Sequence, residues 1–258
     1  MSLLTISNLT KRYRRGGKTI AAVDDVSFHI DPGETLALAG PSGSGKSTIA
    51  RLVLRLIESD AGRIEFEGND FLALGGAALR ARRARLQMVF QDPLAAFNPR
   101  ATVARMLDDP LRIHGIASRA ERPRRIAALL ERVGLTTDLA PRAIHEISGG
   151  QRQRVAIARA IATKPSLIVL DEAVSALDVS VRGQILELLL DLQRQEQIAY
   201  LFISHDLGVV RAIAHRVVLL EAGQLAESGD AHAVIDAPQS AIGKALVAAA
   251  PRLNRTRP

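Results

Sequence analysis

The 258-residue chain contains no cysteine and no tryptophan, and only 3% of its residues are aromatic. Without cysteine there is no disulfide scaffold, no cysteine-ligated zinc or iron–sulfur site and no thiol nucleophile. So few aromatic side chains disfavour a stacking platform for single-stranded nucleic acid. Long apolar runs are missing too, since the stretch 185–192 is interrupted by charge and a membrane helix needs about 20 apolar residues. We therefore expect any transport role to depend on a pore formed by other chains.

The charge balance is mildly basic, with 34 Lys and Arg against 27 Asp and Glu, a formal net charge of +7. We interpret this surplus as an arginine-rich, solvated surface rather than a nucleic-acid footprint. A hydrophobic content of 47% is ample for a core. The opening residues have neither the basic start nor the apolar stretch of a signal peptide.

Apolar patterning predicts alternating strands and helices. Short apolar runs predict buried strands at 35–39, 167–170 and 200–203, and apolar residues at helical spacing predict helices over 46–57 and 181–195. Further β-like runs stand at 3–7 and 26–30, on either side of the polar loop 14–18. The segment 92–165 is nearly all helical in pattern, with breaks expected at Pro93, Pro99, Pro110, Pro123 and Pro141. These patterns predict an α/β core with a mainly parallel sheet and an inserted helical subdomain.

A glycine-rich segment between the strand 35–39 and the following helix fits the pattern G-x-x-x-x-G-K-[ST]. In this pattern backbone N–H groups surround phosphate oxygens, a lysine reaches the β- and γ-phosphates, and a hydroxyl binds Mg²⁺. We expect Lys46 and Ser47 to take the last two roles. The predicted nucleotide-binding residues of this loop are Gly40, Pro41, Ser42, Gly43, Ser44, Gly45, Lys46, Ser47 and Thr48.

Phosphate chemistry also requires a carboxylate, and Asp171 and Glu172 follow the buried strand 167–170. Asp171 is placed to hold Mg²⁺ through its water shell, and Glu172 to polarise the attacking water. An acidic pair at a strand end is often no more than a terminus. Together with the phosphate loop, however, it favours nucleotide hydrolysis.

The sequence resembles the ATP-binding subunits of ABC transporters, because Ser148-Gly149-Gly150-Gln151 matches their LSGGQ signature with Ile147 in place of Leu. Further positions match the family's motifs in order. They are Tyr13 as the adenine-stacking aromatic, Gln91 of the Q-loop, Ser175 to Asp178 of the D-loop, and His205 as the switch histidine.

The resemblance implies a P-loop NTPase (RecA-like) core at 1–91 and 166–235, with an N-terminal antiparallel β subdomain. It further implies a helical subdomain at 92–165 and a C-terminal tail at 236–258. Two such subunits are expected to pair head to tail, so that Ser148 and its neighbours cover ATP on the partner's phosphate loop. The implied cofactors are ATP and Mg²⁺. Glu172, His205 and Gln91 are the implied catalytic residues; Ser47, Gln91 and Asp171 are the implied Mg²⁺ ligands; and Tyr13, Ser148, Gly149, Gly150, Gln151 and Asp178 join the phosphate loop in binding nucleotide.

One departure from the family pattern follows Glu172, where Ala173-Val174 replaces the usual Pro-Thr. Neither usual residue takes part in the phosphate chemistry, so we expect an active ATPase. A regulatory module with an inactive nucleotide site is the alternative, and the intact catalytic set opposes it.

The segment 88–100 is similar to the Q-loop region of the peptide, opine and nickel importer group. In that group the segment after the glutamine contacts the membrane subunit, which implies this role for 92–105. The resemblance implies two permease subunits, a second ATPase subunit, an extracytoplasmic substrate-binding protein and a peripheral location on the cytoplasmic face of the cell membrane. The short chain and its Asp-Glu-Ala-Val-Ser run favour import of nickel or a nickel chelate, with di- or oligopeptides as the alternative. A cytosolic ABC-type ATPase acting on nucleic acid is the rival from another class, and we expect no nucleic-acid partner.

Overall fold

The computed structural model describes residues 2–92, 98 and 100–250. The chain forms two compact units, one from 1–74 with 199–258 and one from 75–198. These units reflect contact density, and the division at 91, 165 and 235 expected from the sequence stays a prediction. Within the described part of the chain, no helix combines the length and the hydropathy needed to cross a membrane.

The first unit contains a four-stranded antiparallel sheet of β1 (Leu4–Arg15), β2 (Lys18–Ile30), β4 (Ala61–Phe66) and β5 (Asn69–Asp70). The strand order is β2-β1-β4-β5. Strand β1 pairs with β2 in a long hairpin whose register shifts between Ile6 and Arg12. Phe66 of β4 meets Phe71 edge to face, with 6.0 Å between the ring centroids.

Four other strands of the first unit pair with one another, mostly in parallel. Strand β3 (Thr35–Ala39) pairs in parallel with β8 (Ala199–Ile203) and with β9 (Arg216–Glu221), and β10 (Gln224–Asp230) pairs antiparallel with β9. Every residue of β3 and β8 is buried, as expected for parallel strands with both faces covered. The helices of this unit are α1 (Lys46–Val53), α7 (Leu207–Ile213), α8 (Ala231–Asp236) and α9 (Ala241–Ala249).

Glu227 of β10 binds the residues at the start of α9, the last helix of the first unit. Its carboxylate accepts hydrogen bonds from the backbone N–H groups of Gln239 and Ser240, both at 2.9 Å, and from the Ser240 hydroxyl. Burial raises the pKa of Glu227, but these hydrogen bonds lower it more, so that its pKa lies below the usual 4.5. Leu246 and Val247 of α9 then pack against the core.

The described residues of the second unit form one parallel strand pair, five α-helices and two short 3-10 helices, Thr137–Leu139 and Ile144–Glu146. Strand β6 (Leu86–Val89) pairs with β7 (Leu167–Asp171), with Leu86 opposite Leu167 and Val89 opposite Leu170. The helices are α2 (Gly76–Arg85), α3 (Val103–Ile113), α4 (Arg122–Arg132), α5 (Gly149–Ile161) and α6 (Val179–Glu196).

The structure confirms the strands predicted at 35–39, 167–170 and 200–203 and the helix at 181–195, within one or two residues. The first helix ends at Val53 rather than at 57. The predicted break at Pro110 is wrong, because Pro110 is buried inside α3. There the packing of the apolar face outweighs the loss of one helical hydrogen bond. The breaks predicted at Pro93 and Pro99 lie outside the described residues.

Candidate functional site

The phosphate loop follows β3 and depends on three glycines with left-handed backbones. The φ angles of Gly40, Gly43 and Gly45 are +146°, +80° and +105°, values that side chains with a Cβ rarely adopt. A Cβ on Gly40 would lie 2.3 Å from the Leu220 carbonyl oxygen, and one on Gly45 would lie 2.3 Å from the Ala22 carbonyl oxygen. A Cβ on Gly43 would meet nothing within 4 Å. The loop is therefore pressed against backbone at both ends and open in its middle.

Lys46 lies beneath this loop with a side chain that is only 7% exposed. Its Nζ donates to the carbonyl oxygens of Gly40 and Pro41, both at 2.8 Å, and to Ser44 Oγ at 3.3 Å. Helix α1 begins at Lys46, and Gly45 before it offers no side-chain cap. A buried cation next to the N–H groups of a helix start suits a phosphate.

Tyr13 stands on the strand pair that supports the loop. It lies opposite Ile20 in the β1–β2 register, and the two side chains are 41% and 53% exposed. The carbonyl of Ala22, two residues beyond Ile20, is the group that closely approaches Gly45. An exposed aromatic ring on the strand pair that contacts the phosphate loop suits stacking on a base.

In the second unit, the parallel register of β6 and β7 sets Gln91 beside Glu172. Each stands two residues after a member of the Val89–Leu170 pair. The side-chain amide Nε2 of Gln91 donates to Glu172 Oε2 at 3.0 Å. The structure thus brings together two of the three residues expected to act in hydrolysis.

Ser148 caps helix α5 in a reciprocal arrangement with Gln151. The Ser148 hydroxyl accepts from the Gln151 N–H at 3.2 Å, and the Ser148 N–H donates to Gln151 Oε1 at 2.9 Å. These two bonds satisfy donors at the start of the helix. A Cβ on Gly150 would lie 2.7 Å from Val181 Cγ1, so this corner packs closely on α6.

Two other predicted residues lie at the starts of helices. Asp178 precedes α6 and makes no side-chain cap, and it is exposed. His205 is exposed and follows β8. Next to it, Asp206 caps α7 by accepting from the N–H groups of Gly208 and Val209. This cap fixes the backbone next to His205.

The expected Mg²⁺ ligands offer a hydroxyl from Ser47, an amide from Gln91 and a carboxylate from Asp171. These are the hard oxygen ligands that Mg²⁺ prefers, and Mg²⁺ is commonly held by one or two carboxylates together with substrate phosphates. The described residues contain no group of three or more His, Cys, Asp or Glu placed to hold a metal on their own. By the chemistry of their donor atoms, these side chains therefore suit an ion that arrives with a nucleotide.

A family model described as ABC transporter matches residues 23–175. The chain belongs to the ABC transporter family. The matched range begins in β2 and ends three residues after Glu172, so it contains the phosphate loop, the Ser148 corner and the Asp171–Glu172 pair.

Curated relatives of this ABC protein include the glutathione import ATP-binding protein GsiA of Escherichia coli K12. It is 50% identical over 256 residues, covering 96% of this chain and 41% of the relative. The protein of the same name from Salmonella typhimurium LT2 is 51% identical over 245 residues, covering 95% and 39%. The chain thus spans about two fifths of the length of these relatives.

Solved structures share the fold. The ATP-binding cassette MJ0796, in a dimeric post-hydrolysis state bound to ADP and Pi, matches with a TM-score of 0.79 and 30% identity over 88% of this chain and 98% of that one. CbiO1 from Clostridium perfringens, part of the ABC transporter complex cbiONQ, matches with a TM-score of 0.80 at 24% identity, covering 92% and 91%. The ABC ATPase cassette fold is thereby confirmed.

Sequence patterns do not identify some of the residues that support the phosphate loop of this ABC cassette. Gly223 donates its N–H to the Ser44 carbonyl at 3.2 Å and accepts from Asp24 N–H at 2.8 Å, and Ala22 contacts Gly45. No local sequence pattern predicts these contacts, because they join segments far apart in the chain. The roles of the predicted site residues toward nucleotide and metal stay predictions.

Proposed function

We propose that this chain is the ATP-binding subunit of an ABC importer and that it hydrolyses ATP to drive uptake of small peptides. The phosphate loop carries the proposal, because it buries the Lys46 ammonium under three left-handed glycines at the start of a helix. The match to glutathione import ATP-binding proteins over almost the whole chain supports the importer class.

The substrate class rests on the relatives. Nickel was the leading expectation from the sequence, with peptides as the alternative. The relatives are named for import of glutathione, which is a tripeptide, and this favours the alternative. In the proposed importer this chain supplies energy and does not itself contact the transported molecule.

For ATP binding, we assign the adenine ring to the exposed face of Tyr13 and the phosphates to the loop 40–48. The Lys46 ammonium exchanges its carbonyl partners for phosphate oxygens, since a charged acceptor forms the stronger hydrogen bond. Ser47, Gln91 and Asp171 are the proposed Mg²⁺ ligands. When bound, Mg²⁺ neutralises charge on the β- and γ-phosphates.

For hydrolysis, Glu172 orients the attacking water and accepts its proton, and His205 donates a hydrogen bond to the γ-phosphate. Gln91 holds the Glu172 carboxylate through its amide N–H, which leaves the amide oxygen available for the metal. An amide suits this position because it donates and accepts at once.

The proposed assembly contains two ATPase subunits paired head to tail, two permease subunits and an extracytoplasmic binding protein, with this chain peripheral on the cytoplasmic face of the membrane. Ser148 to Gln151 and Asp178 then approach the nucleotide of the partner ATPase. The first turn of α5 presents its N–H groups there, which suits an anion.

The second unit contains a groove between helix α2 and the end of α3. Its cavity volume is about 470 Å³, and its lining includes Arg80 of α2, exposed Ile113 and His114. Burial lowers the pKa of His114, and the charge of Arg80 lowers it further. The groove therefore offers an apolar surface beside a cation. The contact expected at 92–105 lies partly outside the described residues, at 93–97 and 99.

Steady-state ATP hydrolysis tests the enzymatic part of the proposal. Glu172→Gln is expected to bind ATP with unchanged affinity and to accumulate as an ATP-bound dimer in size-exclusion chromatography. Glu187→Gln, an exposed glutamate on α6, is the matched control and is expected to behave as the unmodified protein. Unchanged hydrolysis in Glu172→Gln would show that Glu172 is not the base.

Uptake of labelled glutathione, a labelled dipeptide and ⁶³Ni²⁺ tests the substrate class in cells that lack the chain. Complementation by the unmodified chain, and not by Glu172→Gln, is expected to restore peptide uptake. Restoration of nickel uptake alone would return the assignment to nickel. Salt-sensitive DNA binding without any effect on uptake would favour the nucleic-acid alternative.

A further inference from the structure

The backbone of Glu172 has an unusual conformation. Its φ angle is +48°, in the left-handed region that disfavours residues with a Cβ. Such conformations persist where surrounding contacts impose them, and they are concentrated at functional sites. The contacts around Glu172 should therefore identify what holds it.

Ser175 makes the contacts that close this turn. Its hydroxyl donates to the Glu172 carbonyl oxygen at 2.9 Å, and its backbone N–H donates to the same oxygen at 3.1 Å. Between them, Ala173 and Val174 are 2% and 3% exposed. The turn is thus anchored in the core at its middle and fastened by one serine at its end.

The far end of the Glu172 side chain is fixed by Gln91, whose Nε2 lies 3.0 Å from Oε2. The backbone angle of Glu172 sets the direction in which its side chain leaves the strand end, and therefore influences how its carboxylate approaches this amide. The hydroxyl of Ser175 therefore contacts the backbone of Glu172, and the amide of Gln91 contacts its carboxylate.

We propose that Ser175 is a positioning residue for hydrolysis, whose hydroxyl holds Glu172 in the left-handed conformation that aims its carboxylate at the reacting water. This inference rests on the proposed role of Glu172 as the base. Ser175 does not touch the nucleotide in this role, so its loss affects the chemical step rather than ATP binding.

The test compares Ser175→Ala with Ser175→Thr in the full chain. Loss of one neutral hydrogen bond predicts a fall in kcat of about three- to tenfold in Ser175→Ala, with KM for ATP unchanged. Ser175→Thr keeps the hydroxyl and is expected to restore kcat. Ser180→Ala, an exposed serine nearby on α6, is the control for loss of a hydroxyl without this contact, and thermal unfolding verifies that each variant is folded.

A crystal structure of Ser175→Ala gives a readout that does not depend on turnover. We expect Glu172 to leave the left-handed region and the contact with Gln91 to be lost. An unchanged kcat, a fall in kcat that threonine does not restore, or an unchanged Glu172 backbone would overturn the inference. If Ser175→Ala is normal while Glu172→Gln is inactive, the inference fails and the proposed function stands; if Glu172→Gln retains turnover, the proposed role of the base itself fails.

Discussion

An added methyl group is expected to destabilise the protein by different amounts at two glycines of the phosphate loop. Gly43 and Gly45 both have positive φ angles, so alanine at either position costs roughly 1–2 kcal/mol of backbone strain. At Gly45 the new Cβ also lies 2.3 Å from the Ala22 carbonyl oxygen, and overpacking of this kind adds about 1–3 kcal/mol. Gly45→Ala is therefore expected to lose about 2–5 kcal/mol of stability and Gly43→Ala only the strain.

Thermal unfolding followed by circular dichroism measures the difference. At roughly 2–4 °C per kcal/mol for a chain of this size, Gly43→Ala should lower Tm by about 2–8 °C and Gly45→Ala by about 4–20 °C. If unfolding shows two transitions, the comparison uses the transition that Mg-ATP shifts in the unmodified protein.

Addition of Mg-ATP separates stability from binding. Gly43 faces open space in the loop, where we place the phosphates, so a methyl group there obstructs the ligand. Gly43→Ala should therefore fold and show less stabilisation by ATP than the unmodified protein, since stabilisation follows ligand affinity. Equal Tm values for the two variants, or full ATP stabilisation of Gly43→Ala, would refute the reasoning.

Three further predictions use other parts of the structure. Tyr13→Ala should weaken ATP binding while Tyr13→Phe preserves it, as measured by calorimetric titration, because stacking needs the ring and not the hydroxyl; equal affinities would argue against a base on this ring. Ser148→Ala removes a helix cap and should cost about 0.5–2 kcal/mol in urea unfolding, whereas Ser148→Thr keeps the cap and most of the stability. Glu227 has a lowered pKa in the folded protein, so the stability that its carboxylate contributes is complete above the usual pKa of 4.5 and is lost as the pH falls through the lower folded value. Glu227→Gln should therefore flatten the acid limb of the plot of unfolding free energy against pH. An unchanged limb would assign that limb to other groups.

Sequence patterning predicted the buried strands well, because β3, β7 and β8 are short apolar runs between turn residues. It underestimated the hairpin β1–β2, whose register shifts between Ile6 and Arg12 break the alternation of side chains that marks a strand. Pro110 was misjudged because burial of the α3 face overrides a local helix-breaking rule.

For the site, motif spacing predicted the phosphate loop and Glu172, and resemblance added Gln91. The hydrogen bond that joins Gln91 and Glu172 was beyond both, since it depends on the register of two strands about eighty positions apart. The Ser175 turn was missed for another reason. The turn is marked by the positive φ angle of Glu172, and the local amino-acid composition does not predict that angle.

The parallel register of β6 and β7 also fixes how many residues can separate the start of β6 from Gln91. Inserting one residue into 86–89 would reverse the facing of every later side chain on that strand. Gln91 would then turn away from Glu172 with no change in its own identity or in that of any neighbour. The spacing between Leu86 and Gln91 is therefore a determinant of the site in its own right, and an insertion scan across β6 should show alternating loss and partial recovery of hydrolysis.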